Sequence, residues 1–184
     1  MPGVTAWRVR AALLDLALIL AWAVVVAVVV MMFTLTGFVP GLHPLAANLL
    51  GGALVLVPVV GGLALTEGGR YEASPGKQWF GLRVRRADGG RIGHARALVR
   101  NLLKVGPPAV VGHAAGLAWA SSVWPVGTDV WILTAVACLI PLGYLAWALL
   151  DKGRTPYDVL AGTVVTTTVR GRRVADDGAP PPSD

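Results

Sequence analysis

The apolar run at residues 11–35 constrains the fold more than any other feature of this chain. As a helix, a run of this length crosses a bilayer core of about 30 Å. Asp15 lies near its start, and a carboxylate in a bilayer costs about 2.5–3.5 kcal/mol at a helix centre and less near the end. Such a group needs a partner or a function. Arg8 lies seven residues earlier, which at about 3.6 residues per turn is nearly the same helix face.

The composition is typical of a membrane protein. Of the 184 residues, 55% are hydrophobic and 14% are charged, whereas soluble domains carry about 25% charged residues. The lone Cys138 has no intramolecular partner, which excludes a disulfide framework and a cysteine-based metal site within the chain. The first apolar run is longer than the roughly 7–15 residues of a signal-peptide core, so we expect a retained helix.

The distribution of basic residues predicts the membrane topology. Two of the sixteen Lys and Arg residues precede the first apolar run, nine lie in 67–104 and five follow residue 151, while the connections at 36–48 and 121–130 contain none. The positive-inside rule then predicts four spans with both termini and the central segment cytoplasmic. The run at 105–123 is the weakest by hydropathy, but without it the two basic regions would lie on opposite sides.

The central segment changes its periodicity twice. Phe80, Leu82 and Val84 alternate with polar residues, and the Asp88-Gly89-Gly90 turn predicts a hairpin that returns through Arg91 and Ile92. From residue 94 the pattern is that of an amphipathic basic helix. We therefore predict an all-α membrane protein with four transmembrane helices and, between spans 2 and 3, a cytoplasmic β-hairpin and an amphipathic helix. Its parts are a cytoplasmic N-terminus (1–10), two spans (11–66), a basic cytoplasmic segment (67–104), two further spans (105–150) and a cytoplasmic tail, disordered at its end (151–184).

Two pairs of charged residues form a candidate network. The first pair is Arg8 and Asp15. The second is Arg154 and Asp158, which are four residues apart just beyond the last span. The first pair could form a proton or ion relay, since intramembrane ionisable groups mark such pathways, or it could fix helix packing. The second pair could be a solvated helix pair at the membrane surface. One topology-compatible arrangement returns Asp158 to Arg8 at the cytoplasmic rim.

A set of basic residues in the central segment is suited to anionic lipid headgroups, each contact contributing about 1 kcal/mol near the surface. Simple positive-inside flanking charge explains the same residues equally well. The set is Lys77, Arg83, Arg85, Arg96, Arg100 and Lys104. The placement of these charges beside apolar spans argues against nucleic acid as the partner. Pro75-Gly76-Lys77 lacks the spacing of a P-loop, and the three histidines are scattered, so we expect no enzyme activity, no metal and no cofactor.

Several short motifs resemble the RDD family of small polytopic membrane proteins. They are RVRAALLD at 8–15, SPGK at 74–77, GLRV at 81–84, RALVRNLL at 96–103 and RTPYDVLAGT at 154–163. The family is named for one arginine and two aspartates, which by position would be Arg8, Asp15 and Asp158. Ser74 stands where threonine is usual. The resemblance covers about residues 7–170 and implies a membrane protein for which transport, including cation/proton exchange, has been suggested.

Two functions from different classes are compatible with the sequence. One is a non-transporting membrane partner or assembly module, in which the Arg–Asp network holds the fold and the basic surface docks lipids or a larger complex. The other is an ion-coupled transporter or cation/proton exchanger that uses Asp15, which with four spans would need a homo-oligomer or a partner membrane subunit. In either case we expect a multi-pass protein of the plasma (inner) membrane that contacts anionic lipids.

Overall fold

The computed structural model describes residues 4–37, 44–150 and 154–167. Residues 1–3 and the end of the tail, where disorder is predicted, lie outside these residues. The elements, in order, are α1 (Val4–Leu35), α2 (Pro44–Gly68), α3 (Pro75–Trp79), β1 (Leu82–Arg86), α4 (Gly93–Ser121), α5 (Thr128–Leu150), α6 (Pro156–Leu160) and β2 (Thr163–Thr167).

Three of the described helices are long and apolar enough to cross a membrane. Their spanning segments are Ala6–Leu35, Leu49–Gly68 and Thr128–Trp147. Large apolar side chains cover the outside of these helices; Val24 and Met31 on α1, for example, are 61% and 59% exposed. A surface of this kind is stable against lipid, where no water has to be excluded from it.

Helix α4 differs from the prediction. The predicted amphipathic helix and the predicted third span form one continuous helix of 29 residues, with Pro107 and Pro108 inside it. Its basic first half, its prolines and its glycines lower its hydropathy. It is therefore not one of the three described helices that are long and apolar enough to cross a membrane. The structure therefore supports three spans, and the fourth stays a prediction.

The long helices pack side by side. Helix α4 contacts both α2 and α5, and α1 contacts α2. Polar side chains join the neighbours within the apolar region: the Trp22 indole donates to the Leu54 carbonyl over 3.2 Å, the Trp119 indole to the Thr134 hydroxyl over 2.8 Å, and the Tyr144 hydroxyl to the Leu103 carbonyl over 3.0 Å. Such bonds satisfy polar groups that would have no hydrogen-bond partner in lipid.

The predicted hairpin is wrong in its second strand. The turn at residues 88–90 forms, with the Arg86 amide donating to the Gly90 carbonyl over 2.9 Å, but Arg91 makes only an isolated bridge with Arg85. Strand β1 instead pairs antiparallel with β2, in a register that sets Leu82 opposite Thr167. Strand β2 reads Thr-Val-Val-Thr-Thr, and a run of β-branched residues has a high strand propensity. The sheet packs Val84 and Val165 onto Ala64, Ile92 and Ala97.

Candidate functional site

Arg100 is the centre of a buried cluster of charges. Its side chain is 1% exposed. One arm of the guanidinium, Nη1, donates to Glu67 Oε2 over 2.6 Å, while Nε and Nη2 donate to Asp158 Oδ1 over 2.8 and 2.6 Å. The planar fork of arginine suits such multiple contacts. Burial disfavours the charged guanidinium, but Glu67 and Asp158 outweigh burial and raise the pKa of Arg100. This one side chain thereby joins α4 to α2 and to α6.

Four residues contact the Asp158 carboxylate, one of which is Arg100. The hydroxyl and the amide of Thr155 donate to its Oδ2 over 2.7 and 3.3 Å, and the Thr163 hydroxyl donates to Oδ1 over 3.2 Å. Arg8 Nη2 lies 3.6 Å from Oδ2. Burial raises the pKa of this carboxyl, but Arg100 and the Thr155 hydroxyl lower it by more, so that the net change is downward. Asp158 is therefore held as a carboxylate.

Glu67, at the end of α2, binds donors from two other elements. Lys77 Nζ lies 2.5 Å from its Oε1, and the Asn101 amide donates to Oε2 over 2.9 Å beside Arg100. The Glu67 side chain is fully buried. A buried carboxylate is tolerated only when its lone pairs are satisfied in this way.

Asp15 binds the first turn of α3. The Ser74 hydroxyl donates to its Oδ2 over 2.6 Å and the Gly76 amide to its Oδ1 over 2.8 Å, and Lys104 Nζ lies 3.7 Å from Oδ2. The amides at the start of a helix lack intrahelical acceptors, so Asp15 satisfies one of them from α1. Position 76 has no room for a side chain, because a Cβ there would lie 2.2 Å from the Ala11 carbonyl oxygen.

Lys77 links the two halves of the cluster. Its ammonium donates to the Ser74 hydroxyl over 3.3 Å as well as to Glu67. Burial lowers the pKa of Lys77 to about 8, against the opposing effect of Glu67, and the nearby Arg100 and Lys104 act in the same direction as burial. We call the whole set the buried network: Arg8, Asp15, Glu67, Lys77, Arg100, Lys104 and Asp158.

A second group of charges, the Glu72 cluster, consists of Glu72, Arg83, Arg85 and Arg91. Arg85 Nη2 and Arg83 Nη1 lie 2.6 and 3.7 Å from Glu72 Oε2, and Arg91 Nε lies 2.9 Å from Oε1. Glu72 is buried and has a positive φ of 54°, which few residues other than glycine adopt. The three guanidinium groups are partly exposed, in contrast to Arg100.

The structure brings three of the four predicted network residues together. Arg8 contacts Asp158, as the hypothesis of a network at the rim requires. Asp15 contacts Lys104 and is joined to the others through Ser74 and Lys77; within the described residues it makes no direct ion pair with Arg8. Arg154 lies apart: among the described carboxylates none is within 4.0 Å of it, and its buried Nε has no hydrogen-bond partner there.

The lipid-facing assignment is wrong for Lys77 and Arg100, which are buried among carboxylates. Lys104 also turns inward, with 15% of its side chain exposed. Arg83 and Arg85 are partly exposed beside Glu72, and Arg96 is exposed. The residues that the sequence interpretation missed are Glu67, Glu72, Ser74, Asn101 and Thr155. Glu67 could have been identified from the sequence as a candidate, because it is the first carboxylate after the second apolar run.

No group of three or more metal-ligating side chains occurs in the part of the chain that the structure describes. The arrangement is one of alternating cations and carboxylates, joined by hydrogen bonds from Asp158 to Asp15 and by ion pairs to Arg8 and Lys104 at its two ends. Chemically it can fasten helix ends together, and the stretch from Glu67 through Lys77 and Ser74 to Asp15 can also relay a proton.

Apolar spanning helices tied at one end by a buried network define a multi-pass integral membrane protein. The RDD family model matches residues 3–172, nearly the whole chain. The chain belongs to the RDD family. Neither a curated protein nor a solved structure is detectably similar to it.

Proposed function

We propose that the protein crosses the plasma membrane four times, with α4 as the third span and both termini cytoplasmic. The contacts between α4 and α5 support this topology. Trp119 bonds to Thr134 near the start of α5, and Leu103 bonds to Tyr144 near its end. Residues 103–119 therefore run antiparallel to a spanning segment at the same depth. The nine basic residues of 67–104 and the five after 151 then share the cytoplasmic side.

Cysteine labelling tests this topology in a Cys138→Ala background. A cysteine at Thr128 should react with an impermeant thiol reagent applied to intact cells, because Thr128 is exposed at the first residue of α5, the outer end of this span in the proposed topology. A cysteine at Gly89, in an exposed turn, should react only after the membrane is permeabilised. Labelling of the Gly89 position in intact cells would refute the four-span arrangement.

We infer that the molecular role is that of a non-transporting membrane partner or assembly module. The observation that carries this inference is the position of Arg100, which binds Glu67 of α2 and Asp158 of α6 at once. Each carboxylate of the buried network has several donors. The three carboxylates lie on three different elements, α1, α2 and α6. Such a network holds one geometry and fastens the segment at 154–167 to the helix ends. The exposed basic residues beside it are then presented in fixed positions to anionic lipids or to a partner subunit.

Ion flux in proteoliposomes tests the absence of transport. The purified protein should exchange cations for protons no faster than protein-free vesicles, and Asp15→Asn should lower thermal stability in detergent without changing flux. Arg96→Gln, an exposed substitution on α4, serves as the matched control and should change neither. A stable Asp15→Asn protein that has lost a measurable exchange activity would contradict the proposal.

The alternative, a cation/proton exchanger that uses Asp15, has one specific observation in its favour. Lys77 bridges Glu67 Oε1 and the Ser74 hydroxyl, which itself donates to Asp15. With a pKa of about 8, the Lys77 ammonium can release a proton near physiological pH. In this case Asp15→Asn and Lys77→Gln should both abolish flux in folded protein. The same vesicles therefore decide between the two functions.

A further inference from the structure

The Glu72 cluster has the geometry of a prearranged anion site. Alternation along β1 buries Leu82 and Val84 and places Arg83 and Arg85 on the opposite face. The bridge between Arg85 and Arg91 brings the third arginine alongside them. All three guanidinium groups lie within 3.7 Å of the Glu72 carboxylate. They are thus gathered at one point of the surface, although like charges repel.

Glu72 satisfies only part of this positive charge. Three guanidinium groups and one carboxylate leave a formal charge of +2. The side chains of Arg83, Arg85 and Arg91 are 47%, 31% and 60% exposed, whereas that of Glu72 is 7% exposed. The carboxylate therefore lies beneath the arginines. Each guanidinium has five N–H donors, so donors remain for an anion that approaches from outside.

The position of the cluster places it beside the membrane. Arg91 Nη2 donates to the carbonyl of Gly69 over 2.9 Å, and Gly69 directly follows the spanning segment Leu49–Gly68. Tyr71 lies two residues further on, is 46% exposed, and carries the Arg70 guanidinium over its ring at 4.7 Å. Tyrosine is enriched at the level of lipid headgroups. In the proposed topology the arginines are therefore expected near the level of the lipid phosphates.

We propose that the Glu72 cluster binds the headgroup phosphate of an anionic phospholipid, a phosphomonoester of the phosphatidic acid type. The net charge of +2 matches the roughly −1.5 to −2 of a phosphate monoester at neutral pH, and guanidinium forks bind phosphate oxygens bidentately. Glu72 is a positioning residue, which holds the three arginines together when no lipid is bound. This inference rests on the proposed function, which gives the protein a lipid-binding basic surface, and names the ligand of that surface.

The test uses the full-length protein in detergent micelles, with bound lipid counted by native mass spectrometry. The probe is dioctanoyl phosphatidic acid, compared with dioctanoyl phosphatidylglycerol and dioctanoyl phosphatidylcholine. Phosphatidic acid should bind more tightly than either. Arg91→Gln and, separately, Arg83→Gln should weaken its binding about tenfold, or about 1.4 kcal/mol, because each removes charge-assisted hydrogen bonds to the phosphate. Arg96→Gln removes an exposed charge elsewhere and should leave binding unchanged.

Glu72→Gln separates a built site from diffuse attraction. This substitution removes a negative charge, so diffuse electrostatics would strengthen the binding of phosphatidic acid and phosphatidylglycerol alike. A built site loses the group that gathers its arginines, and the preference for phosphatidic acid should fall. Arg91→Lys keeps the charge without the fork and should retain only part of the affinity. Thermal melting of each variant confirms that it is folded.

Three outcomes would overturn the inference. One is tighter binding of both anionic lipids by Glu72→Gln, and another is an equal loss in Arg91→Gln and Arg96→Gln. The third is competition by millimolar inorganic phosphate as effective as that by the lipid, which would assign the site to a soluble phosphate. Ion exchange in proteoliposomes would refute the proposed function without affecting these titrations, so the two failures are distinguishable.

Discussion

The buried network and the Glu72 cluster consist of the same chemical groups but use them differently. In the network, Arg100 is 1% exposed and is bound on both arms by carboxylates. In the cluster, Arg91 is 60% exposed and shares one carboxylate with two other arginines. Removing a partner from a buried pair leaves an unsolvated charge, whereas an exposed pair exchanges its partner for water. The network is therefore expected to determine stability, and the cluster to bind ligand.

Removal of Arg100 should give the largest effect. Arg100→Gln leaves Glu67 and Asp158 short of a cation in a buried site, and breaking a buried pair costs about 3–5 kcal/mol. The loss should appear as a large drop in the melting temperature in detergent. Arg96→Gln, one turn earlier on the same helix, should change stability by less than about 0.5 kcal/mol. Equal stability of the two variants would remove the distinction between the two regions.

Substitution of Asp15 should have a smaller effect, because the single oxygen of an asparagine can still accept a hydrogen bond from the Gly76 amide. We expect Asp15→Asn to cost about 1–3 kcal/mol. Adding Lys104→Gln should recover part of the loss, since Lys104 is then no longer left without its carboxylate. Adding Arg8→Gln should not recover it, because Arg8 lies against Asp158. Recovery with Arg8 and not with Lys104 would show that the pairing differs from that described.

The ionisation of Lys77 should make stability depend on pH. Because its pKa in the folded protein is about 8 and an exposed lysine titrates at about 10.4, the unfolded chain binds more protons between these values. Stability from this group should therefore rise with pH in that window, by at most about 1.4 kcal/mol per pH unit. The difference in melting temperature between the wild type and Lys77→Gln should shift in favour of the wild type between pH 8 and 10. A pH-independent difference would contradict a lowered pKa.

The smallest effect is expected in the Glu72 cluster. Arg83→Gln removes a half-exposed guanidinium that lies 3.7 Å from Glu72, and Arg85 and Arg91 still satisfy that carboxylate. The change in unfolding free energy should be below about 0.5 kcal/mol, as for surface ion pairs. Thermal melting of Arg83→Gln and Arg100→Gln under the same conditions measures this change in stability. A loss as large as that of Arg100→Gln would make the cluster a structural element like the network.

Much of the helical architecture was predictable because long apolar runs and the placement of basic residues are local signals. The special status of Asp15 was also visible, since a carboxylate inside an apolar run has to be satisfied. Its partners were not predictable. Helix periodicity compares residues on one element, and therefore suggested Arg8, whereas the actual partners Ser74, Gly76 and Lys104 come from elements brought together by tertiary packing.

The misassigned residues show the same limit. Arg96, Arg100 and Lys104 lie on one face of α4 by periodicity, and sequence alone gives that face to the lipid surface. Tertiary packing places α2, α6 and the N-terminal half of α1 against part of this face, so Arg100 and Lys104 meet Glu67, Asp158 and Asp15. Strand β2 was detectable from its β-branched residues, but the Asp88-Gly89-Gly90 turn offered β1 a nearer partner, and sequence distance alone favours that choice.

The separation of Arg100 and Asp158 by 58 residues has a consequence for biosynthesis. The ribosome makes the chain from its N-terminus, so Arg100 is synthesised before Asp158. Until α6 and β2 are synthesised, Arg100 has Glu67 as its only acidic partner among the described residues, and β1 has an open edge. The last described segment therefore completes the assembly of helices inserted earlier. A chain that stops before Asp158 would leave Arg100 with one of its two carboxylates, so the network is complete only once this segment has been synthesised.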